Sequence, residues 1–181
     1  FTDYPVVKAT FEEASAAFLG LTAKNGAYAS GVNGEGVIVG VIDTGIWPEH
    51  PSLSPAGFGP APATWAGSGC DFGNSAFNPD DAPFACNNKL LAAKRYGRAF
   101  EATFGGGLAA GSYFSARDED GHGTHTATTA AGNANVAASI LGSDFGTVTG
   151  IAPRARVSVY KACWESVAGA GCSGADTAAA I

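Results

Sequence analysis

The sequence predicts an α/β domain built on a parallel sheet, present as the opening part of that fold. Three observations carry this reading. The run GVIVGVID, Gly36 to Asp43, is continuously apolar and rich in β-branched residues, with glycine before it and TGIWPEHP after it. That is the signature of a strand covered on both faces, the usual state in a parallel sheet. Two further strand candidates, KLLAAKRYG from Lys89 and ARVSVYKAC from Ala155, are separated by loops and an Ala-rich helical stretch, the alternation expected of layered α/β domains. The chain then stops inside another helical stretch, CSGADTAAAI, so the alternation reads as unfinished.

The elements follow in order. TFEEASAAFLGLT holds a short helical turn within the mixed opening, residues 1–31. After the first strand comes a long irregular region, Pro48 to Asn88, rich in Pro, Gly, Asn and Asp. A loop of that length is expected to be stapled or functional. The second strand follows, then GGGLAAG, Gly105 to Gly111, as a flexible loop. THTATTAAGN has enough alanine for a helix despite its threonines, and Gly132-Asn133 makes a natural stop. After the third strand, Ser173 is the expected N-cap of the last helix.

Bulk properties narrow the function classes. The 181 residues suffice for one domain with a core, and the 46% hydrophobic content argues against disorder as a whole. Charged residues make up 14%, well below the roughly 25% of soluble domains. The 26 glycines imply tight turns and close approaches. Net charge is -6, and AAKRYGR is the one basic cluster, so the phosphate-neutralising footprint of a nucleic-acid binder is missing. No stretch has about 20 continuous apolar residues, so no membrane span is expected. The first residue is Phe and the chain contains no Met. No signal peptide is visible, and in a processed chain it would already be gone.

Four cysteines, Cys70, Cys86, Cys163 and Cys172, allow three pairings. Their spacings do not suit a zinc knuckle. The local pairing, Cys70 with Cys86 and Cys163 with Cys172, closes two short loops; free buried thiols are the alternative. Disulfides would point to an oxidising, extracellular setting.

The chemistry concentrates in DGHGTHTATTAAG, Asp120 to Gly132. His122 stands at the expected helix start between Gly121 and Gly123, which permit close approach of another segment. The positive end of the helix dipole disfavours an imidazolium, leaving a neutral ring able to act as a general base. Asp43 lies at a strand end, where working residues of α/β sheets gather; alone it reads equally as a turn residue. A carboxylate at the other ring nitrogen of His122 would fix its tautomer. A metal reading of H-G-T-H is weaker, since zinc proteases space their histidines four apart around a Glu. His125 is expected to pack in the first helical turn with its ring hydrogen-bonded.

VIVGVIDTGIWPEHPSL followed by DGHGTHTATTAAG resembles the subtilisin-like serine proteases, the subtilases, and GIWPEHPSL is most similar to their plant-type, cucumisin-like branch. FLGL (Phe18 to Leu21), CNNKLLAAKRY, GIAPRARVSVYKACW and GCSGADTAAAI are similar to further segments of that branch. The resemblance implies a three-layer subtilisin-like fold, represented by its N-terminal portion over residues 18–181, with residues 1–17 an N-terminal extension or propeptide tail. It implies Asp43 and His122 as two members of an Asp-His-Ser triad, with His125 structural. It favours the local disulfides. It also implies a secreted, precursor-derived endopeptidase acting on proteins or peptides, with the vacuole or periplasm as alternatives.

The family's G-T-S-x-A nucleophile motif does not occur. Gly123-Thr124 and Gly146-Thr147 are followed by His and Val, and Ser68, Ser112 and Ser173 read as loop residues that cap, turn or solvate. Asn133 and Asn135 read as helix-ending residues. The serine is therefore expected beyond residue 181. The chain alone is expected to be inactive and to need the remainder of its catalytic domain, as another segment or chain, with its own propeptide as a further partner. The rival is a non-catalytic protease-like binding or regulatory protein. A dinucleotide site is disfavoured because the glycines of GEGVIVG precede the strand. No cofactor is expected. Calcium has candidate oxygens in Asp71, Asp80, Asp81, Asp118, Glu119 and Asp120, but their spacing fits no EF-hand loop and reads as solvated acidic loops.

Overall fold

The computed structural model describes residues 15–67, 69–104 and 107–181. Most of the extension expected over residues 1–17, the glycines at 105–106 and Ser68 lie outside the described residues.

Three strands form a parallel sheet: β1 (Ile38–Asp43), β2 (Leu90–Arg95) and β5 (Arg156–Lys161), in the order β1-β5-β2. Each coincides with one of the three strand candidates. The register pairs Asp43 and Arg95 with Lys161, so all three strands end level and Asp43 stands on the carboxyl rim. One expectation needs correcting. It is β5, the central strand, that is buried almost throughout, whereas β1 is only half covered and Gly40 is exposed. Among the described residues no strand pairs with the outer side of β1.

α1 (Ser15–Phe18) is a single turn, and α3 (His122–Ala131) is the Ala-rich helix. Ala127 and Ala131 of α3 join Val41, Ile46, Val157 and Val159 in the core. Small side chains let the helix lie close against the sheet, which favours dispersion contacts along its length. α4 (Gly174–Ala180) begins after Ser173, but the Ser173 side chain makes no capping bond. Thr177 instead turns its amide and hydroxyl to the Ser173 carbonyl.

Elements that composition did not reveal complete the fold. α2 (Arg98–Phe104) is capped from a distance: the amides of Ala99 and Phe100 donate to the Asp176 carboxylate at 3.0 and 2.8 Å. β3 (Val136–Ile140) and β4 (Ser143–Val148) form an antiparallel hairpin turning at Leu141 and Gly142, both at positive φ. β6 (Cys163–Ser166) and β7 (Gly169–Cys172) form a second, with Cys163 opposite Cys172. The supposedly free loop before Gly111 is partly tied down, since Leu108 bridges Ser166 and the Ala109 amide bonds the Glu165 carbonyl.

The long Pro48–Asn88 region is stapled, by more than one device. Cys70 and Cys86 are disulfide-bonded, as are Cys163 and Cys172, and no described cysteine is free. Gly69 and Asp71 bond the backbone of Ala93 on β2. Fully buried Arg117 reaches into the region with a fork to Glu49 (2.8 and 2.9 Å), Nε to Asp81 (3.0 Å) and a bond to the Ala82 carbonyl. The acidic residues are therefore not uniformly solvated loops. Asp81 and Asp118 are buried, Glu119 pairs with buried Lys161, and Asp71 meets Arg95 at 3.4 Å. Burying a carboxylate requires such partners, and the loop sequence alone does not disclose them.

Candidate active site

Asp43 is the last residue of β1 and His122 the first of α3. They can meet because the chain is pared down where strand exit and helix entry cross. Gly121 sits at φ 94°, a left-handed entry that an L side chain resists. A β-carbon on Gly123 would lie 2.3 Å from the Gly45 carbonyl oxygen. The Gly123 amide, one of the helix's unsatisfied N-terminal donors, bonds the Thr44 hydroxyl at 2.8 Å.

The result is a close pair separated by 79 residues of sequence: His122 Nδ1 lies 2.8 Å from Oδ1 and 3.0 Å from Oδ2 of Asp43. A carboxylate can only accept, so Nδ1 carries the proton and Nε2 is the basic nitrogen of the neutral ring. Oδ1 also accepts from the Thr44 amide at 2.7 Å, which holds the carboxylate in place. The Asp43 side chain is 12% exposed and that of His122 69% exposed. Nε2 has no hydrogen-bond partner among the described residues.

The hydrogen bond that His122 donates to Asp43, then the charge of that carboxylate, raises the His122 pKa above its ordinary value of 6.5, with Asp120 and Asp118 adding to the effect. This corrects the expectation from the helix dipole alone. Adjacent full negative charges outweigh the partial positive charge of a helix end.

Sequence reasoning missed the residues behind the pair. Buried Asp118 accepts hydrogen bonds from Thr44 of the strand exit and from Gly121 and Thr124 of the helix start. Burial would raise its pKa, but the bonds from Thr124, Gly121 and Thr44 prevail and hold the carboxyl below its ordinary range. The carboxylates of Asp118, Glu119 and Asp120 within RDEDGHGT were the available signal, and composition alone reads them as solvated.

The pair opens into a cleft of about 420 Å³ whose lining includes Asp43, His122, Trp164, Glu165 and the Cys163–Cys172 disulfide. The β6–β7 hairpin is thus one wall of the space beside the imidazole. His125 does not share this cleft. It lines a separate one of about 540 Å³ with Trp47, His50 and Tyr113. It is exposed, and its ring makes no hydrogen bond among the described residues, unlike the packed, bonded ring expected. Among the described residues no group of three or more His, Cys, Asp or Glu side chains is arranged to hold a metal. Of the loop serines, Ser112 is buried rather than solvated and Ser173 precedes α4. Asn133 bonds the Ser54 carbonyl at 2.8 Å and Asn135 turns the chain at φ 56° ahead of β3.

Residues 34–181 match peptidase S8, the subtilase family. The chain is similar to subtilisin-like protease SBT1.4 of Arabidopsis thaliana, 45% identical over 167 residues, which cover 91% of this chain and 20% of the relative. It is 48% identical to subtilisin-like protease SBT1.7 of Arabidopsis thaliana over 145 residues, 80% of this chain and 18% of the relative. It is 43% identical to subtilisin-like protease Glyma18g48580 of Glycine max over 166 residues, 91% and 20% respectively. The chain therefore spans about one fifth of the length of these relatives.

Proposed function

The chain belongs to the subtilase family, and from that premise we propose that the whole protein is a serine-type endopeptidase in which Asp43 and His122 supply two members of an Asp-His-Ser triad. The observation that carries the reading is the Nδ1-to-carboxylate contact at 2.8 Å, made by a ring that lines an open cleft.

In this mechanism Asp43 holds the tautomer that leaves Nε2 basic, and it stabilises the imidazolium once that forms. His122 Nε2 takes the proton of a serine hydroxyl lying outside the 181 residues, and the oxygen attacks the peptide carbonyl. The same ring then returns the proton to the leaving amine. A chain holding only the pair would lack this nucleophile, so residues 1–181 by themselves are proposed to be inactive and to act with the remainder of the catalytic domain. The side of β1 that pairs with no strand among the described residues offers that remainder a sheet edge to join. Protein or peptide substrates, a propeptide and a secreted setting complete the proposal. The two disulfides support an oxidising compartment, and no described helix is long and apolar enough to cross a membrane.

The test is labelling of the full-length protein with a serine-directed fluorophosphonate, alongside His122→Ala and Asp43→Ala. Labelling that depends on both residues supports the triad. A folded full-length protein that neither labels nor cleaves peptides overturns it in favour of a protease-like binding protein.

A further inference from the structure

We infer that Asp118 is a positioning residue: its buried carboxylate sets the direction of two threonine hydroxyls that stitch the exit of β1 to the start of α3, and so fixes the geometry of the Asp43–His122 pair. The inference rests on the proposed triad for its catalytic meaning.

Asp118 is 4% exposed, yet both of its oxygens are fully employed. Oδ1 accepts from the Thr44 hydroxyl (2.9 Å) and the amides of Asp120 (3.2 Å) and Gly121 (2.9 Å). Oδ2 accepts from the amide (2.9 Å) and hydroxyl (2.5 Å) of Thr124. Two of these donors lead onward, in opposite directions. The Thr44 hydroxyl, at the strand exit, accepts from the Gly123 amide of the helix at 2.8 Å. The Thr124 hydroxyl, on the helix, accepts from the Trp47 amide just beyond the strand at 2.9 Å. Each element therefore contributes a hydroxyl whose proton goes to Asp118 and whose lone pair receives the other element's backbone.

The arrangement needs a group that only accepts. A hydroxyl carries one proton and two lone pairs, and an acceptor for the proton fixes the rotor so that a lone pair faces the amide across the junction. An ionised carboxylate offers about four acceptor positions and no donor, and here it serves both hydroxyls at once. An amide at the same position has one accepting oxygen. Whichever way it is turned, an NH2 group would face either the Thr124 amide or the donors from Thr44, Asp120 and Gly121. The hydroxyl or amide on that side then loses its acceptor, and the stitch there loses the partner that directs it. The consequence falls on the pair, because Thr44 directly follows Asp43 and Gly123 directly follows His122. The Asp118 amide also bonds the Ile46 carbonyl, tying the hub's own backbone to the strand exit. A misplacement of about 1 Å between reacting groups can cost about 10²-fold in rate.

The experiment compares wild type, Asp118→Asn, Thr44→Val and Thr44→Ser in the full-length protein, with near-UV circular dichroism as the fold control. Expected for Asp118→Asn and Thr44→Val is a fall in kcat of about 10- to 100-fold with KM changed by no more than about twofold. Thr44→Ser, which keeps the hydroxyl, should recover most of the loss. In ¹⁵N-histidine-labelled protein, the Nδ1 proton signal of His122 should weaken or vanish in the first two variants and persist in the third. A kcat within about twofold of wild type in folded Asp118→Asn and folded Thr44→Val, with the Nδ1 signal intact, overturns the inference. So does a KM rise that accounts for the whole loss. If Asp118→Asn does not fold, the two Thr44 variants decide alone. If wild type has no peptidase activity, the triad reading has failed separately, and the Nδ1 signal still reports whether Asp118 positions the ring.

Discussion

The carbonyl oxygen of Gly45 occupies the space a side chain on Gly123 would need: a β-carbon there would stand 2.3 Å from that oxygen and 2.8 Å from the Gly45 amide nitrogen. Both obstacles are backbone, so neither can swing aside as a flexible side chain could. Gly123→Ala should therefore push the start of α3 off the strand exit and lengthen the Asp43–His122 contact. Overpacking of this kind costs about 1–3 kcal/mol. Denaturant unfolding should register that loss, and activity in the full-length protein should fall by at least about tenfold through the lost alignment. Wild-type stability and turnover in the alanine variant would show that the two backbones are not locked together.

Asp43→Asn keeps the shape of the side chain and removes the charge. The amide can turn its NH2 group toward Nδ1, favouring the tautomer that leaves Nε2 protonated and unable to act as base. A fall in kcat of about 10⁴ is expected, a magnitude taken from other serine proteases with this triad. KM should move little, because the pair acts on the transition state. Steady-state kinetics on a peptide substrate settle it, and a loss below about tenfold would remove Asp43 from the mechanism.

The raised His122 pKa has a pH signature. The base must be neutral, so the acidic limb of kcat/KM should lie above the ordinary histidine value of 6.5, because the hydrogen bond donated to Asp43 and then the charge of that carboxylate favour the imidazolium. The sign for folding is separate. A histidine pKa raised in the folded state contributes stability that is present below the unfolded value and lost as pH rises through the folded one. Asp43→Ala should move the limb down in pH. A limb that does not respond to that change would assign it to another group.

What could be read from the residues was what rests on local pattern. β1 was legible as an apolar run, and β2 and β5 as strand candidates, because burial selects apolar residues wherever the chain goes. Asp43 and His122 were legible because a strand end and a glycine-flanked helix start are recognisable places. The rest depends on partners far along the chain. Asp118 acts through Thr44, 74 residues away. α2 is capped by Asp176, 77 residues away. The β3–β4 hairpin turns on Leu141 at φ 50° rather than on the asparagine or aspartate that usually marks such a turn. Lys89, Arg117 and Lys161 carry no local mark of burial, yet all three are fully buried. Nothing local separates a buried cation from a solvated one when its acceptors are distant carbonyls and carboxylates.

Lys89 gives a second pH dependence. Its Nζ donates to the carbonyls of Pro153 (3.0 Å) and Ala155 (2.6 Å) and lies 4.5 Å from the centre of the Phe58 ring. Burial foremost, then the charges of Arg154 and Arg156, lowers its pKa from 10.5 to about 8. Between those two values the unfolded chain holds a proton that the folded chain has released, so stability should rise with pH across that window. Below about pH 8 the cost of burying the charge is present in full. Lys89→Met should flatten the difference in unfolding free energy between neutral and alkaline pH. Lys161, whose pKa is also lowered by burial, remains in both proteins and cancels from the comparison. An unaltered slope in the methionine variant would assign the rise elsewhere.

Arg117 should be the most costly single position outside the candidate site. It is 1% exposed and holds two carboxylates from the long loop, Glu49 through its fork and Asp81 through Nε. Asp81 is itself fully buried, so removing the guanidinium strands a charge in the interior. Breaking a buried pair from one side costs about 3–5 kcal/mol, and Arg117→Ala should lose about that much in urea unfolding. Arg117→Lys should recover little, since an ammonium cannot reproduce the bidentate contact and the Nε bond together. The control is Asp81→Asn in the alanine background, which neutralises the stranded carboxylate and should restore part of the stability. Without that recovery, the loss would have to come from the packing of Arg117 against Trp47 and Phe72 rather than from unpaired charge.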